Sequence, residues 1–156
     1  HDVYRELLRT RARVVRSGRI FRGEVLSDVF DLVDSRLPYD RQKESAIGGR
    51  IGSDKPVSLD VYLREKAGVC RHQALLAAYL LERLKKEGVV RGSVSVDRNY
   101  VRLRGGHAWV RYVNSAGTVF IIDPASGLIS EFGNIDPLLQ RFYERPKSFL
   151  SKLLGR

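Results

Sequence analysis

The sequence predicts an α+β domain, and three observations carry that expectation. Apolar spacing follows the helical period as far as Gly88 and then switches to the period of two that marks strands. The strand-like runs follow one another across short polar turns, which argues for antiparallel pairing rather than alternating β-α units. The chain has 156 residues, 43% apolar and 29% charged, which suits one domain with a real core.

The elements read in order as follows. Residues 2–17 form an amphipathic helix with Tyr4, Leu8, Ala12 and Val15 on one stripe and Arg5, Arg9, Arg13 and Arg16 beside it. A second helix covers about 24–36, with Val25, Val29, Leu32 and Val33 inward, and Leu37-Pro38 stops it because a residue before proline avoids the helical region. Residues 40–58 are polar and carry Gly48, Gly49 and Gly52, so they read as a flexible surface loop. No strand feeds these glycines and no Lys-Ser/Thr pair follows, which excludes a phosphate-cradling loop. A short helix over 57–66 stops at Gly68. The strongest helix begins at Cys70, is apolar nearly all round over 74–81, and ends at Lys85, Lys86 and Gly88. Residues 89–96, 99–104, 107–113 and 118–123 read as strands. Helices over about 135–144 and 147–154 close the chain.

Composition narrows the function. A single cysteine excludes an intramolecular disulfide and a cysteine-rich zinc site, and no cofactor or metal is implied. No apolar run reaches the ~18–20 residues that span a bilayer, so no membrane span is expected. The net charge of +10 points first to nucleic acid, but it divides unevenly. Residues 1–23 carry +5 and 138–156 carry +4, while 24–137 carry only +1. The basic ends therefore read as solvated flanking helices that suit an acidic partner or substrate, and the split argues against nucleic acid. With no methionine, the chain reads as a processed form or a piece of something longer, and its compartment is not legible.

The chemistry centres on three residues. Cys70 starts the central helix, where unpaired backbone N–H groups and the macrodipole favour an anion, lowering a thiol pKa and offering donors to an oxyanion. Taken alone, a lone cysteine is more often a small buried core residue. His107 opens a strand after Gly105-Gly106, and Asp123 ends the next strand before Pro124. A hairpin turning at Asn114-Ser-Ala-Gly117 pairs residues whose numbers sum to about 230, which sets His107 opposite Asp123 on one sheet face, roughly 5 Å apart at Cβ. There a carboxylate fixes the imidazole tautomer and leaves the other nitrogen as base, whereas a one-residue slip would separate the two groups.

Four other residues bear on the same chemistry or on plain structure. Gln73, one turn after Cys70, is a candidate orienting or oxyanion-donating amide, or a packing residue. Trp109 is a candidate shield for the His107 pair, or simple core. His72 faces away from the thiol and reads as structural, and His1 sits at the start of the chain.

The segments KAGVCRHQALLAAYLLERL (66–84), GGHAWVRY (105–112) and FIIDPASG (120–127) resemble, in order and spacing, the core motifs of the transglutaminase-like superfamily. DVFDLVDSRLPYD (28–40) resembles the segment that precedes the cysteine helix in such domains, so the likeness covers about 24–127, with the basic ends outside it. The resemblance implies a papain-like core in a single domain, 1–156, with Cys70 as nucleophile, His107 as base and Asp123 as orienting group. It implies a minimal catalytic core of the kind found in bacterial proteins. Members include cross-linking transferases, deamidases, proteases and inactive relatives. The expected function is thiol-dependent acyl transfer on a protein or peptide carboxamide through a thioester, of transglutaminase or deamidase type. The alternatives are a cysteine protease on the same scaffold and an inactive basic binding module.

Overall fold

A computed structural model of the chain describes residues 2–16, 24–52, 55–101 and 105–145. Among the described residues, six α-helices precede and follow a four-stranded antiparallel sheet: α1 (Asp2–Arg16), α2 (Glu24–Arg36), α3 (Arg41–Ile51), α4 (Leu59–Glu65), α5 (Cys70–Lys86), β1 (Gly92–Val101), β2 (Gly105–Asn114), β3 (Val119–Asp123), β4 (Leu128–Glu131) and α6 (Pro137–Tyr143). The strands lie in sequence order, so the α+β expectation holds. No helix among the described residues is long and apolar enough to cross a membrane.

The core forms where α1 packs on α2, α2 on α5, and α5 on β1 and β2. Leu76, Leu80, Leu81 and Leu84 of α5 are buried against Val29 and Val33 of α2 and against Val110, Tyr112 and Ile122 of the sheet. Each fully buried side chain of this kind contributes roughly 1.5–3 kcal/mol. Strand alternation sends the odd residues of β2 to the opposite face. There Trp109 joins Ile121, Ile135 and Tyr143 in a smaller cluster beneath α6. The sheet thus carries a large core on one face and a small aromatic one on the other.

Four local expectations are corrected. The supposed loop at 40–58 contains α3. Asp40 caps it by accepting from the Lys43 N–H at 2.9 Å, and Ile47 anchors it in the core at 1% exposure. The two glycines inside it cost about 1 kcal/mol each, and the cap with the buried isoleucine offsets them. The strands expected at 89–96 and 99–104 are one strand, β1, with residues 102–104 outside the described part. A fourth strand, β4, was not foreseen; it returns after a turn at Gly127, whose φ of +66° is a glycine conformation. In α1 Leu7, outside the expected stripe, is buried with Tyr4, while Leu8 packs partly buried against the same core. Arg5 pairs with Asp2, and Glu6 accepts from Arg36 of α2. The side chains of Ala12 and Val15, His1, and the helix expected at 147–154 lie outside the described residues.

Candidate active site

The β2–β3 hairpin sets the geometry. Its ladder runs Val110↔Ile122 to Val113↔Val119, a register sum of 232 rather than 230. The cause is a three-residue loop, closed by the Asn114 N–H donating to the Thr118 carbonyl at 3.0 Å, with Gly117 at φ +84°. The shift is two residues, so parity survives and His107 and Asp123 stay on one face as diagonal rather than direct neighbours. Their side chains meet, with His107 Nε2 2.6 Å from Asp123 Oδ2.

Asp123 is fully buried, while the His107 side chain keeps 23% of its surface exposed. Trp109 is buried, stacks on the His107 ring at 5.9 Å between centroids, and covers it on the inner side. Trp109 has two readings, shield and simple core, and the residue both stacks beside His107 and belongs to the small core cluster.

Cys70 reaches the same place from the other face of the sheet, because the first turn of α5 abuts the beginning of β2. Its Sγ lies 4.0 Å from the Gly106 carbonyl oxygen and is half-buried. The approach to Cys70 is fixed by the segment that leaves α2. Asp40 N–H donates to the Gly68 carbonyl at 2.8 Å, and Gly68 N–H donates to the Pro38 carbonyl at 3.1 Å. A Cβ on Gly68 would stand 2.9 Å from Leu37 Cγ, so only glycine permits this contact. Gln73 belongs to the same joint. It is fully buried, and its Nε2 donates to the Leu37 carbonyl at 2.9 Å. It does not line the cleft, so the orienting or oxyanion role is corrected to that of a tie between α5 and the end of α2.

The electrostatics favour an ion pair. Partial burial pushes the Cys70 thiol up, but hydrogen bonds from His107 and from the Ala108 and Arg71 backbones outweigh it, and the pKa falls below the ordinary thiol value. Hydrogen bonds to Asp123 and then to Cys70 overcome burial at His107 and raise it to about 9. Nε2 is committed to Asp123, which leaves Nδ1 for the thiol side.

His72 is structural, as expected. Its Nδ1 accepts from the Val69 N–H at 3.1 Å, and its ring stacks on Tyr62 with centroids 3.9 Å apart. It thus does for the start of α5 what a Glu or Gln does at the third helical position. Burial, then the Arg71 charge, pushes its pKa down from 6.5 to about 4. Between those values the unfolded chain takes up a proton that the native one refuses. Stability is therefore full above about pH 6.5 and declines towards pH 4, by up to about 3 kcal/mol. His72→Gln keeps an acceptor and removes the titration. Its melting temperature is expected to vary less between pH 6.5 and 4 than that of the parent; an unchanged slope counts against this assignment.

The three residues open onto a cleft of about 700 Å³. Tyr39, Glu44 and Arg71 contribute to its lining, with Glu44 and Arg71 ion-paired, and α6 contributes Leu139, Phe142 and Tyr143. A cavity of similar size, about 730 Å³, lies at the hairpin end and is lined by neither a thiol nor an imidazole. Sequence reasoning missed Ser126, whose Oγ is 3.4 Å from His107 Nε2, and Tyr143, whose hydroxyl donates to Asp123 Oδ2 at 2.9 Å. Tyr143 lies in no motif, and Ser126, though within FIIDPASG, carries no sign of its partner; only the return of the chain after β3 brings them in. No protein-family model, curated protein or solved structure matches the chain.

Proposed function

We propose that this chain is a thiol acyl-transfer enzyme of transglutaminase or deamidase type on a papain-like core. The observation that carries the reading is the 2.6 Å contact between His107 Nε2 and the buried Asp123 carboxylate, with the Cys70 thiol lining the same cleft beside Gly106, the residue before His107. The Cys70 thiolate adds to the carbonyl carbon of a glutamine side chain on a protein or peptide. The resulting oxyanion develops at the start of α5, where the Cys70 backbone N–H and the positive end of the helix stabilise it. The C–N bond then breaks, and His107 gives its proton to departing ammonia, leaving a thioester on Cys70. An amine or water, deprotonated by His107, attacks the thioester and restores the thiol.

The test uses the purified chain on a glutamine-rich protein, measuring ammonia release and incorporation of a labelled primary amine, before and after iodoacetamide. Ammonia release that iodoacetamide abolishes is the expected result. Amine incorporation marks a transferase and its absence a deamidase. Backbone cleavage without ammonia would replace the proposal by a protease, and turnover untouched by alkylation would remove Cys70 from the chemistry.

A further inference from the structure

Tyr143 lies outside every motif that pointed to the triad, and the chemistry proposed above does not call on it. It is buried, ends α6, and packs edge-on against Trp109 with ring centroids 5.1 Å apart. Its hydroxyl donates to Asp123 Oδ2, the oxygen that His107 also uses. The backbone of Tyr143 is held as firmly as its ring. Its carbonyl accepts from Arg111 of β2, and Arg111 Nε donates to Asp97 of β1 at 2.7 Å. Asp97 also accepts from Arg145, just beyond α6, at 2.9 Å. Asp97 and Arg111 keep only 9% of their side-chain surface exposed, so this latch is largely shielded from salt.

We propose that Tyr143 is a positioning residue that shares Asp123 Oδ2 with His107, held in register by the Asp97–Arg111 latch, and so tempers the hold of Asp123 on the imidazole. An oxygen with two donors binds each less strongly than it would bind one. Removing the hydroxyl leaves the charge on Oδ2 to His107 alone. The imidazolium becomes harder to deprotonate and a poorer acid towards the leaving amine. The groups facing His107 are Cys70 from α5, Asp123 from β3, Ser126 beyond it and Asn99 opposite on β1, with Arg71 and Glu44 lining the same cleft. The kinetic part rests on the proposed acyl transfer; the titration part does not.

The experiment is an NMR titration of the His107 imidazole in the parent, Tyr143→Phe, Asp123→Ala and the double variant, with kcat and KM measured beside it. Phenylalanine keeps the ring against Trp109, and thermal melts check that each variant is folded. Tyr143→Phe is expected to raise the His107 pKa above its parent value of about 9. It is expected to lower kcat about tenfold with KM little changed. In the Asp123→Ala background the same substitution is expected to change neither by more than about twofold, because the shared oxygen is gone. An unmoved or lowered His107 titration overturns the inference, as do effects that simply add in the double variant. If the parent turns nothing over while the titration shifts as stated, the acyl-transfer reading fails and the positioning role stands.

Discussion

Cys70→Ala is expected to abolish the proposed acyl transfer, by about 10⁴-fold or more, and His107→Ala to come within an order of magnitude of the same loss. Residues that act as a unit fail together, since neither a thiol without its base nor a base without its nucleophile retains much of the step. The two substitutions separate in a second measurement, the pH dependence of Cys70 alkylation in the His107 variant. There the thiol loses the imidazole that now holds its pKa below the ordinary value. Its alkylation midpoint is expected to rise to the ordinary thiol range near about 8.5.

The effect at pH 7 is modest for a reason that fixes how the test is run. Removing His107 leaves only a few per cent of the thiol ionised, but a more basic thiolate is intrinsically the better nucleophile, with a Brønsted slope of about 0.4–0.5. The two trends partly cancel at neutral pH and do not cancel near pH 5–6, where the unassisted thiolate falls tenfold per unit. A midpoint that does not move in His107→Ala would mean that the helix start alone activates Cys70. The triad would then be an arrangement without a function.

Much of this site was legible because each part lies in a local pattern. A cysteine preceded by Gly-Val at the start of an apolar helix, and a Gly-Gly-His strand one hairpin turn from Asp-Pro, are short-range signals. The hairpin estimate erred by two residues because it assumed the wrong loop length, and it still placed His107 with Asp123 because side-chain direction depends only on parity. What failed to show was either tertiary or contradicted by propensity. Helix α3 hides behind Gly48 and Gly49, which its Asp40 cap and Ile47 outweigh. Tyr143 stands twenty positions from Asp123 on a separate helix, so no spacing rule connects them. Gln73 faces roughly as Cys70 does one turn on, yet the Leu37 carbonyl claims its amide, and helical periodicity says nothing of that partner.

The second large effect falls on Asp123, where two substitutions divide charge from hydrogen bonding. Asp123→Ala removes the acceptor of both His107 and Tyr143 from a fully buried site. The imidazole then has no fixed tautomer or ring angle, and turnover is expected to fall about 10³–10⁴-fold. Asp123→Asn keeps an oxygen that can accept from both donors and discards the charge. Cysteine enzymes with an asparagine in this role show that orientation alone sustains the chemistry, so its loss is expected to be only about 10–100-fold. The clearer signature is in the pH profile. The bond to Asp123 is the main reason His107 stands at about 9, and the basic limb of kcat/KM reports that proton. In Asp123→Asn the limb is expected to move down towards the ordinary histidine value near about 6.5. Equal losses in the two variants, with the basic limb unmoved, would mean that His107 draws its basicity from elsewhere and that Asp123 only fills the space beneath it.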